Sequence, residues 1–285
     1  MKIARVLNDS VESYAIVDRN KLATREEIAK QLNLNLPESI EEFLFYNWIE
    51  TVNNNHVNIS ESIDKYRFLT PLANPSKIIC LGFNYLDHAK EQGKTPPDEP
   101  IIFMKPKTTL IGTGDKIVCP GFVKQLDYEG ELAFVMGKEC KNVKKEEAME
   151  YVLGYMIFND VSARDLQFKE RQWTKSKSFD TFAPCGPWLT TKDEIADPYN
   201  LHIITKVNNE VRQDSSTKNM ALKIDKIVAS LSSVMTLEKG DIIATGTPSG
   251  VAMFMKDPKF LQNDDMVEIE IEKLGRISNP VTYVD

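Results

Sequence analysis

The sequence predicts a strand-rich α+β chain. From about Lys77 onward, short apolar runs recur with turn residues between them. A single long amphipathic stripe interrupts these runs. Helical patterns are too few to alternate with the strands as a doubly wound parallel sheet requires. The expected organisation is a small accessory domain over residues 1–72 and a larger, strand-dominated domain over 73–285.

In the first unit, Ile3–Leu7 and Tyr14–Val17 read as strands joined by a polar turn at Asn8-Asp9-Ser10. Thr24 with Glu27, and Ser39 with Glu42, have the spacing of capping boxes. There a hydroxyl accepts from an orphan N–H and the Glu reaches back. Ile40, Phe43, Leu44, Trp48 and Val52 predict one continuous helical face, ended by Asn53-Asn54-Asn55. Pro71 and Pro75 mark a linker. Strands are expected at Ile78–Leu81, Ile101–Met104, Ile117–Cys119, Leu126–Met136, Tyr155–Asp160, Trp188–Thr190 and His202–Val207. Asn208-Asn209 predicts a hairpin turn, because Asn tolerates positive φ. Ile224, Ile227, Val228, Leu231, Val234 and Met235 share the stripe of the long helix, with Gly240 after its end. Met266–Ile271 and Val281–Val284 close the chain as strands.

Composition narrows the function classes. The 285 residues carry a formal charge of −7, which argues against a dedicated nucleic-acid binder and against docking on an anionic membrane. The longest near-continuous apolar stretch, Tyr151–Phe158, is far shorter than the ~20 residues a membrane span needs. Cys80, Cys119, Cys140 and Cys185 form no C-x-x-C pair and match no zinc spacing. With no apolar core in the opening MKIARVLNDS, reduced thiols in a cytoplasmic protein are expected.

Glu129 and Glu131 stand two apart in LDYEGELAFV. On a strand, such residues point the same way with Cα atoms roughly 7 Å apart. They can converge on one hard cation. The same spacing also fits a solvated strand edge, as Glu268, Glu270 and Glu272 in VEIEIEK illustrate. Two features favour the cation. Gly130 between the acids is poor strand chemistry unless something approaches closely. Asp160 ends an apolar run, where an acid needs a partner, a cation or a turn to start. His88 and Glu91, three apart, can pair on a short helix over Leu86–Gln92, as an oriented general base or as an ordinary surface pair. His56 and His202 read as structural or surface residues. The GTPSG run lacks the Lys-Ser/Thr of a phosphate loop, and is expected to offer the Thr247 hydroxyl and backbone N–H groups to an anion. KSKSFDTFAPCGP reads as an ordered loop.

The order of these pieces resembles the fumarylacetoacetate hydrolase family from about Pro75 to the C-terminus. The resemblance rests on LGFNYLDHAKE, IFMKP, DYEGELAFVMGK, FNDVSARDLQ, KSFDTFAPCGPWL, VNNEVRQ and LEKGDIIATGTPSGV. It implies a mixed β-roll catalytic domain with a small N-terminal α+β domain, working as a homodimer on a small-molecule oxo-acid. By this similarity Glu129, Glu131 and Asp160 are ligands for Mg2+ or Mn2+. His88 and Glu91 form the dyad that activates water, and Lys177 is catalytic. Gln167 and Thr247 hold the substrate. Tyr85, Lys105 and Arg164 fall in motif positions without an assigned role.

The implied chemistry is charge stabilisation of an enolate on a 2-oxo or enol carboxylic acid. C–C bond hydrolysis of an acylpyruvate is the first expectation. Isomerisation or decarboxylation of 2-hydroxyhepta-2,4-diene-1,7-dioate-type dienes, and oxaloacetate decarboxylation or tautomerisation, are alternatives on the same residues. A non-catalytic sensor of metal or oxo-acid, with the accessory domain as output, is the alternative of another class. A binder would need the carboxylates but not His88, Glu91 and Lys177 together.

Overall fold

The computed structural model describes residues 1–170 and 172–285. Its centre is a mixed twelve-stranded sheet. The order along its main path is Glu61–Ser62, Lys21–Thr24, Val11–Asp18, Lys2–Asn8, Ala183–Thr191, Val152–Asn159, Gly130–Met136, Ile242–Ala244, Ile78–Gly82 and Ile101–Lys105. A five-stranded sheet runs Glu210–Ser216, His202–Val207, Met266–Ile271, Gly275–Val284 and Ile117–Pro120.

The alternation of side chains along the central strands assigns each face. Ile79, Leu81, Leu132, Phe134, Tyr155 and Ile157 pack in one core with Ile203, Ile269 and Ile277 of the five-stranded sheet and with Ile224, Ile227 and Leu231 of the Ile224–Val234 helix. Ile78, Cys80, Ala133, Val135, Met156 and Phe158 face the other way, in a core with Ile28, Phe43 and Leu44 from the N-terminal helices. The central strands are therefore buried on both sides and read as continuous apolar runs. Strands from the first seventy residues join this sheet directly. Lys2–Asn8 pairs antiparallel with Ala183–Thr191, with Ile3 opposite Leu189.

Several elements differ from the sequence expectation. The Ile40–Val52 face is divided into helices Ile40–Phe45 and Trp48–Asn53, because Asn47 takes a left-handed conformation at φ 65°. The Leu126–Met136 run is divided too. Leu126–Asp127 pairs with Ser162–Ala163, and the central strand restarts at Gly130. The Trp188–Thr190 strand grows to Ala183–Thr191, buried along its whole length. Thr24 forms both bonds of its capping box, and the Ser39 hydroxyl accepts from Glu42 N–H at 3.0 Å. All four cysteines are buried and free. No described helix is long and apolar enough to cross a membrane.

Candidate metal and acid–base site

The three acids singled out in the sequence meet. Glu129, Glu131 and Asp160 are buried, and each offers a carboxylate oxygen within 4.8 Å of the others. Chain topology brings them together. Glu131 lies on Gly130–Met136, which pairs with Val152–Asn159, and Asp160 follows that partner strand. The Asp160 N–H donates to Glu129 C=O at 2.9 Å, which fixes the two backbones at the strand ends. Gly130 is required by the second sheet. A Cβ there would stand 2.3 Å from Thr205 Oγ1, and its N–H donates to Gln213 Oε1 at 3.0 Å.

Three buried cations answer the acids. Lys177 Nζ donates to Glu129 Oε2 at 2.8 Å and to Asp160 Oδ2 at 2.5 Å, and lies 4.6 Å from the centre of the Phe103 ring. Lys105 Nζ donates to Asp160 Oδ1 at 2.6 Å and to Val161 C=O at 3.2 Å. Arg164 binds Asp127 Oδ2 at 2.9 Å, Glu129 Oε1 at 2.6 Å and Gln167 Oε1 at 2.9 Å. Lys105 and Arg164 thus acquire roles that their motif positions left open. Asp127, which sequence reasoning missed, also accepts from the N–H groups of Ala252 and Met253, next to Phe254.

Burial alone would raise the Glu129 carboxyl, but Lys177 and Arg164 outweigh it and hold the group well below the usual carboxylate range. Burial, then the charges of Asp160 and Glu129, push Glu131 well above that range. Lys177 is opposed by burial but held protonated by Asp160 and Glu129. Asp127, Glu129, Glu131 and Asp160 face Lys105, Lys177 and Arg164, so the cluster is neutral when Glu131 keeps its proton.

The donor set fits a hard divalent cation. Glu131 Oε2 accepts from Gly246 N–H at 2.8 Å. Its other oxygen is buried with no hydrogen-bond partner among the described residues. Carboxylate oxygens are the ligands such cations prefer. Cation binding must displace the Glu131 proton, so it is expected to release protons and to tighten as pH rises. In chelator, the sign for folding follows from the same proton. Unfolded, Glu131 ionises near the ordinary value of about 4.3, whereas folded it stays protonated to higher pH. Between those limits the native state binds more protons, so Glu131 makes stability fall as pH climbs. Calorimetric cation titrations in two buffers of different ionisation enthalpy check the release. Identical heats in both would contradict it.

The base candidates lie on the same cavity. Asn84 anchors the turn before them, its amide donating to Leu222 C=O at 3.1 Å and to Thr245 C=O at 2.8 Å. The helix Leu86–Glu91 then presents His88 Nδ1 to Glu91 Oε2 at 3.1 Å. Glu91 Oε1 accepts from Gly250 N–H at 3.1 Å. The Gln92 amide donates to His88 Nε2 at 2.8 Å, which leaves Nδ1–H for Glu91. Phe254 meets the His88 ring edge-on with centroids 5.6 Å apart.

A cavity of about 240 Å³ is lined by His88, Glu129, Gln167, Lys177 and Thr247, among others. The GTPSG loop gives its N–H groups to the protein's own carboxylates, Gly246 to Glu131 and Gly250 to Glu91. The Thr247 hydroxyl donates to Gly130 C=O at 3.0 Å and accepts from Gln213 Nε2 at 2.8 Å. Gln213 closes the VNNEVRQ run but was not singled out there, because its partners, Gly130 and the Thr247-Pro248 turn, are remote in sequence. His56 is exposed, and the ring of the exposed His202 pairs with Asp214. Glu270 and Glu272 are exposed and Glu268 half-buried.

A family model for the C-terminal region of fumarylacetoacetate hydrolase matches residues 77–282. A mitochondrial oxaloacetate tautomerase of Xenopus laevis is 50% identical over 215 residues, covering 75% of this chain and 67% of that protein. A 5-carboxymethyl-2-hydroxymuconate delta-isomerase structure from Mycobacterium smegmatis superposes with a TM-score of 0.79 at 35% identity, over the whole of both chains. A fumarylacetoacetate hydrolase structure from Exiguobacterium antarcticum gives 0.85 at 34% identity, again over the whole of both chains.

Proposed function

The chain belongs to the fumarylacetoacetate hydrolase family, and from that footing we propose that it catalyses keto–enol exchange of a 2-oxo carboxylic acid of the oxaloacetate type. The observation that carries the proposal is the meeting of Glu129, Glu131 and Asp160 with Lys177 beside a cavity that His88 also lines. The half-identical oxaloacetate tautomerase supports this reaction over the acylpyruvate hydrolysis expected from the sequence.

Glu129, Glu131 and Asp160 would hold Mg2+ or Mn2+, which supplies positive charge favouring the enolate form of the substrate. In the neutral imidazole, His88 Nε2 carries the lone pair once Gln92 releases it. It takes the proton from the carbon beside the oxo group, and Glu91 steadies the resulting imidazolium. Lys177 spends two of its N–H groups on Glu129 and Asp160. The third can meet the developing enolate oxygen. His88 then returns the proton to that oxygen, so no water is consumed. The test is ultraviolet decay of enol-oxaloacetate with protein and Mg2+, with and without chelator. Acceleration that chelator abolishes is expected. No acceleration with either cation would refute the proposal.

Lys177→Ala is expected to lower turnover by about 10²–10³, the cost of one preorganised donor at a developing oxyanion. Cation affinity should not fall, because a competing positive charge leaves Glu129 and Asp160. Steady-state kinetics with calorimetry on the same samples separate the two effects. A second reaction, hydrolysis of a C–C bond in an acylpyruvate, is favoured by the His88–Glu91 pair itself, which can equally deprotonate a water.

A further inference from the structure

The cavity's cations are unequally committed. Arg164 is paired with Asp127 and Glu129, and Lys177 with Glu129 and Asp160. Lys94 lines the same cavity, is exposed, and has no carboxylate partner among the described residues. Its ammonium lies 4.5 Å from the centre of the Phe83 ring, and its other contact is a long one, 3.4 Å to Gln92 Oε1.

The backbone fixes this placement. Gly93 takes φ 65° after the Leu86–Glu91 helix. Gly93 N–H donates to Lys90 C=O at 3.0 Å, and Lys94 N–H to Ala89 C=O at 2.9 Å. Those two bonds are the Schellman pattern, which needs a residue tolerant of positive φ at the position Gly93 fills. The ring beneath Lys94 is held as tightly. Phe83 has φ 57°, stacks on His88 at 6.4 Å and meets Trp173 at 5.5 Å. A cation held on a fixed ring at the rim, in a chain of net charge −7, is placed to receive an anion.

We propose that Lys94 determines substrate class: its ammonium receives a second carboxylate, so that the cavity prefers 2-oxo dicarboxylates to 2-oxo monocarboxylates of the same length. The proposal rests on the oxo-acid reading of the site and adds the residue that selects among such acids. Glu129, Lys177 and Lys94 all line this one cavity of about 240 Å³, so a single short chain can lie among them.

The test compares oxaloacetate with 2-oxobutyrate, which has a methyl group where oxaloacetate has its distal carboxylate. Binding is read from tryptophan emission at saturating Mg2+, since Trp173 lines the cavity, and turnover is followed separately. The wild type should bind oxaloacetate the more tightly. Lys94→Met keeps the stem and loses the charge. It should weaken oxaloacetate by about fivefold, as for a partly exposed ion pair, and leave 2-oxobutyrate unchanged. Lys94→Glu should weaken oxaloacetate further, and Lys94→Arg should restore the preference. Equal weakening of both acids by Lys94→Met, or no change in either, overturns the proposal. A wild type that shows the binding preference but turns over neither acid counts against the proposed reaction and leaves the selector in place.

Discussion

Glu131→Gln is expected to abolish tight binding of Mg2+ or Mn2+, and turnover with it, while the protein stays folded. The amide has the shape of the carboxyl that burial and neighbouring acids already favour in the neutral form. Its oxygen can accept from Gly246 N–H as Glu131 Oε2 does. Its NH2 can donate toward Glu129 and Asp160, whose ligand oxygens lie within 4.8 Å. The variant lacks the charge that a hard cation requires. Thermal unfolding reads both halves of the claim. Wild type should gain about 2.7 kcal/mol when the cation stands at a hundred times its dissociation constant. Glu131→Gln should gain nothing, yet match wild type in chelator.

Glu129→Gln and Asp160→Asn should lose the cation too, but at a cost in stability. Each leaves buried cations short of a partner, Arg164 and Lys177 in the first, Lys105 and Lys177 in the second. Breaking a buried pair typically costs about 3–5 kcal/mol. Glu270→Gln, on the exposed face of the Met266–Ile271 strand, should behave as wild type in every assay. Unchanged cation affinity in Glu131→Gln would remove the metal centre from the protein.

The contrast between these acids marks what the sequence can express. The i, i+3 spacing of His88 and Glu91 is a local relation, and a single helical turn realises it. The strand-rich α+β class was legible for the same reason, since each apolar run reports its own burial. Glu129 and Glu131 have a spacing that Glu268 and Glu270 share, so pattern alone could not separate buried ligands from a wetted edge. The difference is made by Lys105, Lys177 and Arg164, whose partners lie far away in the chain. Asp127 and Gln213 stand inside DYEGELAFVMGK and VNNEVRQ but showed no role there, because each binds strands and turns remote in sequence. Gly130 did signal close approach, but the approaching atom is Thr205 Oγ1. The break at Asn47 escaped a periodicity count because a single left-handed residue interrupts a helix without disturbing its apolar spacing.

The second large effect concerns His88→Ala and Glu91→Gln, and it separates keto–enol exchange from hydrolysis. Both reactions need a base, so both should fall, by about 10²–10⁴ in rate when general-base help is lost. That is roughly 3–5 kcal/mol of barrier. The two variants should differ in how they fall. His88→Ala removes the atom that accepts the proton. Glu91→Gln keeps the imidazole but removes the charge that steadies it, since Nδ1–H now faces a neutral amide. It also weakens the bond from Gly250 N–H, which loosens the GTPSG loop from the helix. Enol-oxaloacetate exchange is therefore expected to lose more in His88→Ala than in Glu91→Gln. Acylpyruvate cleavage, assayed side by side at saturating Mg2+, should collapse in both, because a water must be fully deprotonated beside the substrate. Decarboxylation of oxaloacetate needs no water nucleophile, and should fall least in either variant. A wild type that cleaves acetylpyruvate but leaves enol-oxaloacetate untouched would make the protein a hydrolase and refute the exchange reaction. Activity of both kinds that survives the loss of His88 would place the base elsewhere, and the dyad beside Phe254 would then be a packing pair.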